Sequence, residues 1–439
     1  MALFRGPRVK EILVGIDYGT CFTKVAYRIL GTERRIVPLP LEEETFLLPS
    51  GLYLHKGERR LYPLFSPCPP DCRDIRLLKW HLLEAADVVQ NSRDDNDRMF
   101  IRLCNTYFLK NLFCLILQAL QKRSELRREN ISFDMLRFNI CIPTARDEQK
   151  DEALHKLYQE VAGRALSLTL DCPEVTPMDI MELLKLYKAD GGHSEKIEFT
   201  HEALAQCMPY LNSQGREKGK HAIIDIGGGT IDIAILGIGE GQKDRVLGDD
   251  TSVKFYTSHV LYGGMNKLEE RLLEEHPDWA EDDRKRLYKV LSGQESRTEE
   301  DRRIILDHFE TIRTNKEEDG YYQVWGNALK KDHCVEKWQN VKILLSGGGA
   351  RLDEAEEIFR EPWYEGLRTR YDLIRISPPD DFIKGDYGDK DFGRMLVAYG
   401  LCMEKKEYPE DFPPYAFKGF PPREREKRPY DAREEGDII

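Results

Sequence analysis

The chain has 439 residues, too many for one compact core, so two or more lobes are expected; 41% hydrophobic and 33% charged content fits a globular protein. A net charge of -12 and a pI near 5.5 exclude the basic surface that non-specific nucleic-acid binding needs. The ten cysteines form no CxxC pair, and the closest two, Cys68 and Cys72, have no further ligands nearby for zinc, so reduced thiols are expected.

The N-terminus lacks the apolar core of a signal peptide, which points to the cytoplasm and leaves the nucleus open. "EILVGIDYGTCFTKVAYRI" reads as strand, tight turn and strand, followed by a Pro- and Glu-rich stretch of edge strands and loops. Residues 105–128 follow a helical period, with Phe108, Leu112, Leu115, Ile116 and Leu120 on one face. The apolar run Asn111 to Leu120 is too short to span a bilayer, so no membrane insertion is expected. "MLRFNICIPTARDEQKDEALHKLYQEVAG" predicts a buried strand, a turn at Pro143 and an amphipathic helix.

"AIIDIGGGTIDIAILG" then predicts a strand hairpin, and "GIGEGQKDRVLGDD" a turn-rich excursion. "YGGMNKLEERLLEEH" predicts a glycine turn entering a helix, and 277–320 is charged and helical. "VKILLSGGGARLDEAEEIFRE" predicts a strand, a glycine turn and a helix, and "FGRMLVAYGLCMEK" a last helix. The Pro-rich, charged segment 406–439 has too few apolar residues for a core and is expected to be disordered. "VGIDYGTCFTKVAY" and "IIDIGGGTIDIAIL" share one pattern of strand, Asp-x-Gly, Thr and strand, so two related lobes should face a cleft.

Successive glycines let backbone N–H groups converge on phosphate oxygens, where a Cβ would block the approach. Thr20 and Thr230 can donate to the same oxygens. Asp17 and Asp225, at strand ends, offer hard oxygens suited to Mg²⁺ held partly through water, and Asp232 supports them from the returning strand.

The segments "GIDYGTCFTKVAY", "AIIDIGGGTIDIAIL" and "ILLSGGGARL" resemble, in order, the phosphate-1, phosphate-2 and adenosine motifs of the actin, sugar-kinase and heat-shock chaperone superfamily. "FNICIPTARDEQKDEA", "LYGGMNKLEERL" and "LVAYGLC" are similar to the heat-shock protein 70 branch, and the likeness spans about residues 10–405. It implies an α/β actin-like ATPase fold: two lobes, each a mixed sheet flanked by helices, with ATP and Mg²⁺ in the cleft. Lobe I would be 1–219 plus a closing helix at 388–405, and lobe II 220–387.

The resemblance also implies site residues. Asp17, Gly19 and Thr20 match phosphate-1, and Asp225, Gly227, Gly228, Gly229 and Thr230 match phosphate-2. Gly347, Gly348 and Arg351 match the adenosine motif, Glu310 and Arg313 a helix closing over the adenosine, and Gly263 and Gly264 a turn near the phosphates. Asp17 and Asp225 would hold the metal. The family's water-orienting glutamate opens a Glu-Pro-x-Ala-Ala-Ala helix; "THEALAQCM" gives Glu202, with Ala203 in place of the proline. Its γ-phosphate lysine falls in "DIRLLKWHLL", where Lys79 fits best, with Arg76 as its rival. The implied function is slow Mg²⁺-dependent ATP hydrolysis, with lobe closure signalling to an unidentified protein partner. ATP binding without turnover and a sugar-kinase-like phosphotransferase stay open beside it.

Overall fold

The computed structural model describes residues 11–409, apart from 42–45, 68, 86–94, 124–125, 127–130, 144–147, 190–194, 240–251, 282–284, 318–319, 365–368 and 384–388. The excursion at 240–251, Cys68 and the tail from 410 lie outside the described residues. The first part of the chain runs β1 (Ile12–Tyr18), β2 (Phe22–Ile29), β3 (Ile36–Pro38), β4 (Leu48–Pro49), β5 (Leu52–His55), β6 (Arg60–Pro63) and β7 (Cys72–Ile75). It continues through α1 (Leu78–Ala85), α2 (Asp95–Lys122), β8 (Leu136–Ile142), α3 (Glu148–Asp171), β9 (Met178–Asp179), α4 (Ile180–Ala189), β10 (Ile197–His201) and α5 (Glu202–Leu211). The second part runs β11 (Gly219–Ile226), β12 (Thr230–Ile238), β13 (Val253–Tyr262), α6 (Met265–Glu275), α7 (Asp278–Glu281), α8 (Lys285–Ser292), α9 (Glu299–Arg313) and α10 (Tyr321–Lys331). It ends with β14 (Lys342–Gly347), α11 (Asp353–Phe359), β15 (Asp372–Ile374) and α12 (Leu396–Gly400).

Two mixed sheets flanked by helices organise the chain, as expected, and they repeat one plan. The first has the order β10-β8-β1-β2-β3, with β4 also on β2; the second has β13-β12-β11-β14-β15. In each, the first strand pairs antiparallel with the second and parallel with the fourth (β1 with β2 and β8, β11 with β12 and β14). The parallel pairs need crossover connections, and the intervening helices cover the sheet faces. A smaller antiparallel sheet, β7-β5-β6-β9, extends the first lobe.

Each lobe has its own apolar cluster. A third cluster joins them: Cys207, Met208 and Leu211 of α5 and Tyr399 of α12 pack with Ile223, Leu236 and Phe255 of the second sheet. α12 also lies on β1 and β2. Gly400 sets how closely α12 approaches α5, because a Cβ there would sit 1.9 Å from the Ala205 carbonyl oxygen. That oxygen belongs to backbone and cannot swing aside. Gly400→Ala is therefore expected to cost about 2–3 kcal/mol in denaturant unfolding, the scale of core overpacking. An unchanged midpoint would show that the two helices can part without loss.

Three expectations change. α2 starts at Asp95, ten residues before the helical period suggested at 105, with Asp95 and Asp97 favourably placed in its first turn. By length and composition α2 could cross a membrane, yet 78% of its most apolar window is buried inside the protein, so it is a core helix. Two of its buried polar groups are matched, since Asn105 accepts from the Tyr18 hydroxyl at 2.6 Å and the Lys110 ammonium donates to the Glu174 carbonyl, whereas the Thr106 hydroxyl and the Asn111 Oδ1 have no hydrogen-bond partner among the described residues. The last helix is short: 389–394 forms a 3-10 segment and only Leu396–Gly400 is α-helical. The segment read as tail from 406 is ordered at its start. There Tyr408 is buried and its hydroxyl donates to the Gly400 carbonyl at 2.8 Å, while Glu407 pairs with Arg28 at 2.7 Å.

Candidate functional site

Each lobe ends one hairpin at the cleft between them. Asp17 lies near the end of β1, and its cross-strand partner on β2 is Lys24. Asp225 lies near the end of β11, and its cross-strand partner on β12 is Asp232. The duplicated plan thus brings three carboxylates and one ammonium to equivalent places on facing sheets. The two turns touch: a Cβ on Gly228 would stand 2.1 Å from Cys21 Sγ, which itself lies 3.3 Å from Asn266 Oδ1 at the start of α6. Only glycine allows that approach. Trp80 of α1 and Tyr262 of β13 also meet, with ring centroids 5.3 Å apart.

The cleft holds a cavity of about 340 Å³, within the range of small-molecule sites. Most predicted residues line it. Asp17, Gly19 and Thr20 come from the first turn, and Asp225, Gly227, Gly228 and Thr230 from the second. Gly347, Gly348 and Arg351 come from the turn after β14, and Lys79 and Glu202 from α1 and α5. Gly229, Gly263 and Gly264 stand behind this lining as support. The N–H groups of Gly264, Met265 and Asn266 donate to the carbonyls of Gly229, Gly227 and Gly228 at 3.2, 2.9 and 2.7 Å, which fixes the second turn on the head of α6.

Three predicted residues stand elsewhere. Arg76 is exposed and bonded to Asp74 at 2.7 Å, so the structure brings Lys79, not Arg76, into the cleft. Glu310 and Arg313 on α9 pair with each other at 2.7 Å outside the cavity, and Arg313 also reaches the Pro362 carbonyl at 3.3 Å. The neighbouring helix α8 lines the cavity instead, with Tyr288, Leu291 and Ser292. The charged, helical reading of 277–320 could not tell which of its helices turns toward the cleft.

The charges at the centre are packed and unequal. Asp17, Lys79 and Glu202 are 2%, 5% and 7% exposed. Lys24 contacts Asp17 at 2.5 Å, and the Lys79 ammonium pairs with Glu202. Thr230 donates to Asp232 at 3.0 Å. Four carboxylates therefore face two ammonium groups. Burial, then the Glu202 and Asp17 charges, push Asp225 up to about 7 against the pull of Lys24 and Lys79. Burial, with Glu202 and Asp225, pushes Asp232 well above the carboxylate range. Burial works to lower both lysines, but Asp17 and Asp225 keep Lys24 raised, while Cys141 and Glu202 keep Lys79 well raised.

Lys24, Cys141, Glu269 and Arg394 were missed. Lys24 had a signal: it follows Asp17 at the spacing by which Asp232 follows Asp225, so the shared hairpin pattern places it. Cys141 and Arg394 had none, since long-range packing brings them in.

No protein-family model matches the chain, and no curated protein does. Among solved structures it is similar to MreB5 of Spiroplasma citri bound to ADP, with a TM-score of 0.44 and 14% identity over 89% of this chain and 94% of that one. It is also similar to MreB5 of Spiroplasma citri bound to AMPPNP, with a TM-score of 0.43 and 14% identity over 89% and 94%. Neither likeness is close enough to carry an argument about the chemistry of this chain.

Proposed function

We propose that this chain binds ATP with Mg²⁺ between its lobes and hydrolyses it slowly, with lobe closure as the output to a protein partner. The observation that carries the reading is the meeting of two equivalent Asp-x-Gly hairpins, one from each lobe, with a third glycine turn beside them around one cavity. The motifs resemble the heat-shock branch of the superfamily, which supports reading the chain as an ATPase of that kind, and the N-terminus without a signal-peptide core supports a place in the cytoplasm, with the nucleus open beside it.

The residues fit the metal. Four carboxylates, Asp17 and Glu202 buried and Asp225 and Asp232 half-buried, crowd two lysines at the centre of the site, and the raised Asp225 is the sign of that crowding. Asp17 and Asp225 would hold Mg²⁺, which supplies charge neutralisation for the phosphates. Lys24 and Lys79 add positive charge along the phosphate chain, Thr20 donates to phosphate oxygens, and Thr230 joins it by turning its hydroxyl away from Asp232. Glu202, at the head of α5, orients the attacking water. Its carboxylate is held by Lys79, and that pair has to open before Glu202 can act. Slow turnover follows.

The same ion pair favours a second reading, in which the chain binds ATP and never turns it over. Calorimetry with Mg²⁺–ATP and phosphate-release kinetics separate the cases. Binding with release above background supports hydrolysis, and binding without release supports the second reading. No uptake of adenine nucleotide overturns both.

A further inference from the structure

Cys141 is out of place in a site for a hard cation. Mg²⁺ is bound through oxygen, and a thiol adds nothing to its affinity. Yet β8 delivers this side chain, fully buried, into the carboxylate cluster. Its Sγ lies 3.8 Å from Asp17 Oδ1, 3.7 Å from the Tyr18 carbonyl oxygen and 4.0 Å from the Lys79 ammonium. Asp17 divides its two oxygens: Oδ2 contacts Lys24 and Oδ1 faces the thiol. Ligand atoms of Asp17, Cys141 and Glu202 all lie within 4.8 Å of one another, and all three residues are buried.

We propose that the nucleotide-free cleft contains a second, softer cation site, in which Asp17, Cys141 and Glu202 ligate one zinc-class divalent ion. The donor set is the argument. One sulfur and two carboxylate oxygens suit a borderline-soft ion, and three protein ligands leave the fourth tetrahedral position open to the cleft. Metal–oxygen bonds of about 2.0 Å and metal–sulfur bonds of about 2.3 Å put tetrahedral ligand atoms roughly 3.3–3.6 Å apart. The Asp17–Cys141 separation of 3.8 Å is already near that spacing. Glu202 completes the triangle by leaving Lys79. The thiol proton passes to solvent as the ion binds. The ammonium of Lys79 then balances the one charge by which three anionic ligands exceed a divalent ion.

Occupancy would take Asp17 and Glu202 away from nucleotide chemistry, a consequence that rests on the reading above. Binding itself does not rest on it and is tested without nucleotide. The full chain, reduced and nucleotide-free, is titrated with Co²⁺ while the thiolate-to-cobalt charge-transfer band is followed, and Zn²⁺ is then added as competitor. One equivalent giving the band, displaced by zinc, is expected. Cys141→Ser should abolish the band and weaken zinc binding more than about 10-fold, beyond the smallest effect of changing a group that only supports a ligand. Cys21→Ser should keep the band. No band in the wild type, or an undiminished band in Cys141→Ser, overturns the proposal. Should Cys141→Ser not fold, Glu202→Gln decides: zinc affinity within a few-fold of wild type would sink the site, and a comparable loss with the thiol intact supports it. Mg²⁺–ATP calorimetry uses no thiophilic ion, so failure there leaves this result standing.

Discussion

Asp225→Asn is expected to make the nucleotide-free protein more stable at neutral pH while removing its uptake of Mg²⁺–ATP. The wild-type carboxyl is crowded by Glu202, Asp17 and its cross-strand neighbour Asp232, and desolvation, with the Glu202 and Asp17 charges, raises its folded-state pKa from 3.8 to about 7. The native state therefore holds a proton that the unfolded chain has released over that window. Stability contributed by this group is full below about pH 4, falls as pH rises toward 7, and is flat above. Asparagine keeps the shape and cannot ionise. The gain should be on the order of 2 kcal/mol above pH 7 and vanish near pH 4, read as the difference between variant and wild-type urea curves. Isothermal titration then checks the other half, since the amide cannot replace an anionic oxygen for the metal. A variant less stable than wild type at neutral pH, or a difference independent of pH, would contradict the charge imbalance on which the nucleotide reading stands.

Replacement of the two members of the Lys79–Glu202 pair should have unequal consequences. Breaking a buried pair usually costs about 3–5 kcal/mol whichever partner goes, because the other charge is left alone. Here the surroundings are not neutral. Without Lys79, Glu202 stays among Asp17, Asp225 and Asp232 with Lys24 as the remaining cation, so Lys79→Met should show the full cost of about 3–5 kcal/mol. Without Glu202, Lys79 still faces Asp232, and Asp225 and Asp232 lose the neighbour that raises them. Glu202→Gln should thus cost under about 1 kcal/mol, yet slow phosphate release by about 100-fold or more with Mg²⁺–ATP binding kept. Equal destabilisation by both substitutions would mean that the cluster is balanced by charges outside these six groups. Unchanged phosphate release in Glu202→Gln would remove Glu202 from the reaction.

The hairpins were legible because their signals are local. Asp17 and Asp225 each sit before a glycine turn between alternating strands, and the period of two fixes which side chains share a face. The echo between the two segments announced the duplicated sheets for the same reason. Lys24 was readable from that echo and was passed over. The segment pattern favoured Lys79 over Arg76 without deciding between them, because both lie within one short segment and only the packing of α1 under the cleft separates them. The position of Glu310 and Arg313 relative to the cavity was likewise not legible: a charged helix with a clear apolar stripe can sit on either side of its neighbour, and in this structure α8 lines the cavity.

Alone, the order of amino acids determined the elements, the three glycine turns and the kinds of group they carry, since turn chemistry and periodicity act over a few residues. Only the tertiary structure decided which charges meet, that four carboxylates share two lysines, and that a thiol from a distant strand stands among them. Those facts depend on burial and on contacts between residues far apart in the chain, and a buried charge takes its properties from neighbours the local pattern does not name.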